Sequence, residues 1–232
     1  MYFAYGTKET DYLSRKDKRL AAAIAQIGPI EREVDTDLFA AVVHHIIGQQ
    51  ISMKAQATIW QRMRDALGTV DAEHLLAAGG PQLQQLGMTF RKAEYITDFS
   101  QKIHDGTFDL QAVWQMPDDE AIRALSSLKG IGVWTAEMIL LFCMQRPDVF
   151  SYDDLAIQRG LRMLYHHRKI DRKLFEKLPP PVQPLRQRRQ PLSLGHLRRC
   201  HPRDAGLRAK KASQIKKKRE QLCGKAALAF GL

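Results

Sequence analysis

Two adjacent carboxylates, Asp153 and Asp154, stand in "FSYDDLAIQRGL" just ahead of a run with helical apolar spacing. One Asp at that place is an ordinary N-cap, accepting hydrogen bonds from the first helical turn. With two, one can cap while the other faces a cleft and does acid–base or charge-stabilising work. Upstream lies "LKGIGVWTAEMILLF", Leu128 to Phe142, where Gly130 and Gly132 flank Ile131 between an amphipathic segment and an apolar one. The glycines allow positive φ and close backbone approach, and the second helix would point its first N–H groups outward. Such amides bind a phosphate without side-chain charge. Ile131 would pack inward as the anchor of the turn, while Lys129 and Thr135 could add contacts to the same phosphate. An ordinary helical hairpin with a glycine turn reads the same way, and a short glycine motif alone does not separate the two.

The elements that must carry these residues are helices. Apolar residues recur at helical spacing in "RLAAAIAQI", "LFAAVVHHIIGQQISMKAQATIWQRM", "AEYITDFSQKI", "DEAIRALSSL", "WTAEMILLFCM" and "LAIQRGLRMLYHH". No stretch alternates with period two for long enough to form a sheet. Gly28-Pro29, Gly79-Gly80-Pro81, Gly87, Gly106 and Pro117 mark breaks, with Asp118 positioned to cap the helix that carries Ala121 to Leu125. The expectation is an all-α chain of roughly ten short helices.

After Lys177 the texture changes. "LPPPVQPLRQRRQPLSLGHLRRCHPRDAGLRAKKASQIKKKREQ" clusters prolines and basic runs without a helical period. The formal net charge is +11, but from Leu178 onward there are 14 basic and 2 acidic residues, against 22 basic and 23 acidic through Lys177. The body is neutral, so DNA binding by it would have to rest on local geometry rather than bulk charge. The three cysteines, Cys143, Cys200 and Cys223, are too far apart for a metal pair or an iron–sulfur run. No metal and no cofactor is expected. Neither an apolar run of about 18 residues nor a signal-like N-terminus occurs, which points to a cytoplasmic protein, in a bacterial cytosol or nucleoid, without membrane association.

The hairpin, its Trp-Thr-Ala, the spacing to Asp154 and "LFAAVVHHIIGQQIS" upstream together resemble the helix-hairpin-helix (HhH-GPD) superfamily of base-excision DNA glycosylases. Within it, the 3-methyladenine DNA glycosylase II type is most similar. The resemblance covers about Tyr2 to Lys177 and implies an all-α fold of two helical lobes with a cleft between them. It implies that Asp154 is the catalytic aspartate, with Asp153 as its capping or orienting neighbour. Strand-cutting members carry a lysine nucleophile two residues after the second hairpin glycine; here that place is Trp134, so a monofunctional enzyme using water is implied. The resemblance also places Gln50 as a wedge in the duplex, at a tip formed by Gln49, Gln50 and Ile51. Trp134, Met138 and Tyr152 are the candidate walls of the base pocket, where a cationic alkylated purine would meet electron-rich faces; core packing is the other account of each. The lysine and arginine of "MTFRKAEYI" could touch backbone phosphate or merely start a helix in solvent.

The expected function is hydrolysis of the N-glycosidic bond of alkylated purines in double-stranded DNA, by base flipping and Asp-assisted attack of water, by a monomer. The alternative is a non-catalytic helix-hairpin-helix DNA-binding protein. Residues 1–177 read as the glycosylase domain. Residues 178–232 read as an out-of-frame replacement of the family's last, aromatic-rich helix, which would leave this chain destabilised or inactive.

Overall fold

The computed structural model describes residues 2–3, 5–146 and 149–178. The described chain is all-α, with eleven helices: α1 (Thr7–Lys16), α2 (Lys18–Ile27), α3 (Leu38–Gly48), α4 (Met53–Leu67), α5 (Ala72–Gln85), α6 (Phe90–His104), α7 (Leu110–Gln115), α8 (Asp118–Ser126), α9 (Val133–Phe142), α10 (Leu155–Tyr165) and α11 (Arg172–Phe175). None of them is long and apolar enough to cross a membrane. The reading of residues 179–232 as an out-of-frame tail lies outside the described residues. Leu178, placed at the head of that tail by its sequence, belongs to the fold: it is buried and its N–H bonds to Leu174 O at 3.1 Å.

Polar punctuation sets most helix starts. Asp17, Asp37, Asp71, Asp109, Asp154 and Asp171 each accept a first-turn N–H, as do Ser52 and Thr89. Asp118 is an exception to expectation. Pro117 is the N-cap of α8 and Asp118 the first helical residue, ion-paired at 3.4 Å with Arg146. The same guanidinium donates to Trp114 O at 2.6 Å and Met116 O at 3.2 Å, which pins the α7–α8 junction. Gly79, at φ 69 and ψ 168, breaks α5 into two segments, and Pro81 falls where the second begins.

Residues 33–146 form one compact unit; residues 2–32 together with the C-terminal residues form the other. In the first, α3 contributes Val42, Val43, Ile46 and Ile47, all at 0% exposure. Phe39 stacks on Phe99 of α6 at 4.9 Å. Helix α9 is apolar on every side, and it packs against α3 and α8 with Ala136, Ile139 and Leu140 fully buried. Each buried valine, leucine or isoleucine of this set stabilises the fold by about 1.5–3 kcal/mol.

The second unit is built from the two ends of the described chain. Leu13 and Leu20 of the α1–α2 pair meet Ile157 and Leu161 of α10, with Ile170, Phe175 and Leu178 completing the core. Phe150 stacks on Phe175 at 4.4 Å. Asp17, the single residue between α1 and α2, ends one helix and caps the next. Its other oxygen accepts from the Tyr165 hydroxyl at 2.8 Å, tying the helix pair to the end of α10.

Candidate nucleic-acid interface

The hairpin bend in the first unit divides its labour between its two glycines. Gly130 has φ +81, and a Cβ there would collide with the ring of Tyr95, whose Cε2 would lie 2.7 Å away. Only glycine fits both the dihedral and the contact. Gly132 differs from expectation: its φ of −90 and ψ of 172 are open to any residue, and nothing lies within 4 Å of a Cβ built there. Gly132 is the N-cap of α9, and no side chain caps that helix. The bend therefore presents a bare helix start to open space, an arrangement whose amides and dipole favour an anion. Ile131 is buried at 4% exposure, and its N–H reaches Leu128 O at 3.1 Å.

Two side chains expected beside that anion are occupied otherwise. Thr135 is buried at 6% exposure, which leaves its side chain little surface for the phosphate contact expected of it. Lys129 is exposed but lies 2.8 Å from Asp98, which also pairs with Lys102 at 3.0 Å. The pairing raises the Lys129 pKa and, through the same hydrogen bond, lowers that of Asp98. A phosphate would have to share Lys129 with that carboxylate.

The tip between α3 and α4 is also corrected in part. Gln49 is half-buried, and its Nε2 donates to Gly130 O at 2.6 Å, so it braces the hairpin and is not free to enter a base stack. Gln50, at φ 57, and Ile51, at 37% exposure, form the tip, and Met53 follows at 67%. Lys92 is turned inward as well: its ammonium donates to Ile47 O at 2.8 Å and Gln49 O at 2.6 Å, and burial lowers its pKa. His44 is a packed histidine, its ring 4.8 Å from that of Trp60 and its pKa lowered chiefly by burial.

Phe90, the first residue of α6, is 67% exposed and was not singled out by the sequence reading. Its spacing to the buried Ala93 and Ile96 continues the apolar stripe of α6 past the edge of the core. The usable signal was the cap: Thr89 accepts from Lys92 N, so Phe90 stands on the first, outermost turn.

Of the candidate base-pocket residues in this unit, Trp134 lies in the first turn of α9 at 41% exposure, and Met138 is a buried core residue at 4%.

In the second unit the capping role expected of Asp153 falls to Asp154. Asp154, and not Asp153, caps α10: its Oδ1 accepts from Ala156 N at 2.7 Å and Ile157 N at 2.9 Å. Asp153 is exposed. Asp154 is nevertheless set apart from the chain's other capping aspartates. At 8% exposure it is the one buried charged side chain among the described residues, whereas the other capping aspartates are half-buried or exposed. A structural cap can be satisfied in solvent, and burying a carboxylate carries a desolvation cost that the cap alone does not require. Tyr152 packs edge-on against Phe175 at 5.3 Å and carries the Arg172 guanidinium 5.6 Å from its ring centroid. One face of Tyr152 is thus already under a cation, and its carbonyl accepts from Gln158 Nε2 at 2.6 Å.

Known proteins resemble the chain in sequence and in fold. DNA-3-methyladenine glycosylase 1 of Schizosaccharomyces pombe is 26% identical over 176 residues, which span 73% of this chain and 77% of that protein. The crystal structure of DNA-3-methyladenine glycosidase from Bacillus halodurans matches with a TM-score of 0.63 at 32% identity, covering 71% of this chain and 77% of that one. The Schizosaccharomyces pombe 3-methyladenine DNA glycosylase in complex with abasic DNA matches with a TM-score of 0.64 at 25% identity, covering 73% and 85%. The chain spans about half the length of several other curated relatives that it matches. Residues 43–184 match the family described as HhH-GPD superfamily base excision DNA repair protein, and the chain belongs to that family.

Proposed function

We propose that this protein is a monofunctional DNA glycosylase that hydrolyses the N-glycosidic bond of alkylated purines in duplex DNA. The observation that carries the proposal is Asp154: a buried carboxylate, aimed by two backbone amides, in a chain whose family repairs bases. The relatives named above, called 3-methyladenine glycosylases, support the alkylated-purine class. One of them is seen with abasic DNA, the species that base release leaves behind.

In this reading the bare start of α9 at Gly132 holds a backbone phosphate. The exposed tips Gln50, Ile51 and Phe90 fill the stack from which a nucleotide has swung out. Unstacking costs a few kcal/mol and is cheapest for a damaged base. Trp134, 41% exposed in the first turn of α9, is the aromatic wall assigned to a cationic purine ring. The alkylated purine leaves with the electrons of the bond from C1′, which makes it neutral, and positive charge develops on the sugar. Asp154 stabilises that charge, and water adds to C1′ and gives up a proton to the carboxylate. With Trp134 at the place of the lyase lysine, no amine is available there to form a Schiff base, so the strand is left uncut.

Replacing Asp154 by Asn tests this cleanly, because Asn caps a helix as well as Asp does. Expected is a loss of base release from a methylated duplex of at least about a hundredfold with unchanged DNA affinity. Base release that survives in Asp154→Asn would overturn the catalytic assignment. Absence of release by the wild-type chain, with DNA binding intact, would instead favour a non-catalytic binding protein.

A further inference from the structure

We infer that Gln49 and Lys92 are positioning residues: together they form a strut that holds the duplex-opening tip and the phosphate-binding bend at a fixed spacing. The inference deepens the function proposed above and rests on it. Three contacts close a triangle within the first unit. Lys92 on α6 donates to Ile47 O and Gln49 O, at the end of α3. Gln49 in turn donates from its amide to Gly130 O in the bend. The Tyr95 ring, one turn beyond Lys92 on the same α6, packs against the Cα of Gly130. Tip and bend are thus each fastened to α6 and to each other.

Ending α3 does not by itself call for this. Terminal helix carbonyls are met as well by water or by a left-handed glycine. Here the left-handed residue is Gln50, and an ammonium is turned inward against its own desolvation to hold the two carbonyls. A glycosylase has a reason for such a brace. If the tip pushes into the stack while the bend grips the backbone, the push opens the duplex only when the two cannot slide apart. A loose tip would bind DNA and fail to unstack it.

The test uses the full chain and Gln49→Leu, Lys92→Met and Lys92→Arg. Hydrogen exchange is read over segments 47–52 and 128–132, and base release is compared on an intact duplex and on one in which the lesion lies opposite a gap and is already unstacked. Expected for Gln49→Leu and Lys92→Met is faster exchange in both segments by about tenfold, with the rest of the unit protected as before. Release from the intact duplex should fall at least about tenfold more than release from the gapped one, whose unstacking cost is already met. Lys92→Arg, which keeps the cation and its donors, should restore most of the difference. Unchanged exchange at 128–132 in both loss variants, or equal loss on the two duplexes, would overturn the strut. Should the wild-type chain release no base, the function proposed above fails, while the exchange measurement still decides whether tip and bend are coupled.

Discussion

Asp154 shows how much, and how little, a residue's type discloses. The sequence pointed to a carboxylate pair and to a cap, and both are present. It could not tell which aspartate capped, because the difference lies in burial, and burial depends on what the rest of the chain packs around the helix start. Phe90 lay outside the candidates for the related reason that helical spacing reports a stripe but not where the stripe leaves the core. It carries the next prediction. Phe90→Ala should change stability by no more than about 0.5 kcal/mol, since the side chain is mostly in solvent. An apolar plug that fills an opened stack is needed only where there is a stack to open. Base release from an intact duplex should therefore fall about tenfold, and release from a single strand by much less. Parallel losses on both substrates would remove Phe90 from the interface and leave it a surface residue.

At the scale of elements, the hairpin was legible as a hairpin, because glycines between an amphipathic and an apolar helix leave few alternatives. Its internal asymmetry was not legible. Gly130 is required by its φ of +81 and by Tyr95, a residue of α6 that no local reading could bring there. Gly132 has ordinary dihedrals and open surroundings. The two positions should respond differently to alanine. Gly130→Ala forces a Cβ into an aromatic ring at a left-handed position, and urea unfolding should show a loss of about 2–4 kcal/mol, a strained φ and an overpacked contact together. Gly132→Ala meets no atom and should cost at most about 1 kcal/mol, mainly through a poorer N-cap. Its methyl group stands beside the bare start of α9, so it should weaken DNA binding despite the preserved fold. If Gly132→Ala binds DNA like the wild type, the bend is a structural turn and the anion site is elsewhere. The break in α5 was readable for the opposite reason: Gly79 and Pro81 act through their own backbone, and no distant partner is needed.

For the whole molecule, chain order conceals the assembly. The all-α class followed from periodicity, but periodicity is silent on which helices share a core, and the second unit joins α1 and α2 to α10 across more than a hundred intervening residues. The charge distribution was readable in full, since it needs only counting, and the neutral body agrees with an interface built from a helix start and uncharged tips. Each unit also holds a weak acid whose pKa is raised and whose titration reports on it. Cys143, in the first unit, has its thiol pushed up from 9.0 to about 12, first by burial and then by Asp35 and Asp37. Tyr165, in the second, is raised from 10.0 by burial and by its hydrogen bond to Asp17. A raised acid holds its proton longer in the folded state than in the unfolded one. The folded state then binds more protons, and stability falls as pH climbs from the unfolded value towards the folded one. Below pH 9 the Cys143 contribution is intact; above it the loss approaches about 1.4 kcal/mol per pH unit while only the unfolded thiol ionises. Lys92 works with the opposite sign, because its lowered value makes stability rise with pH up to its ordinary 10.5, which offsets part of the loss. Removing the thiol isolates its share. In Cys143→Ala the urea midpoint should decline less between pH 8.5 and about 10 than in the wild type. All three tryptophans, Trp60, Trp114 and Trp134, lie in the first unit with Cys143, so tryptophan fluorescence follows that unit directly. An identical pH slope in the two proteins by that signal would mean that the thiol is reached by solvent in the folded state, and that the end of α9 is less tightly packed than its 2% exposure describes.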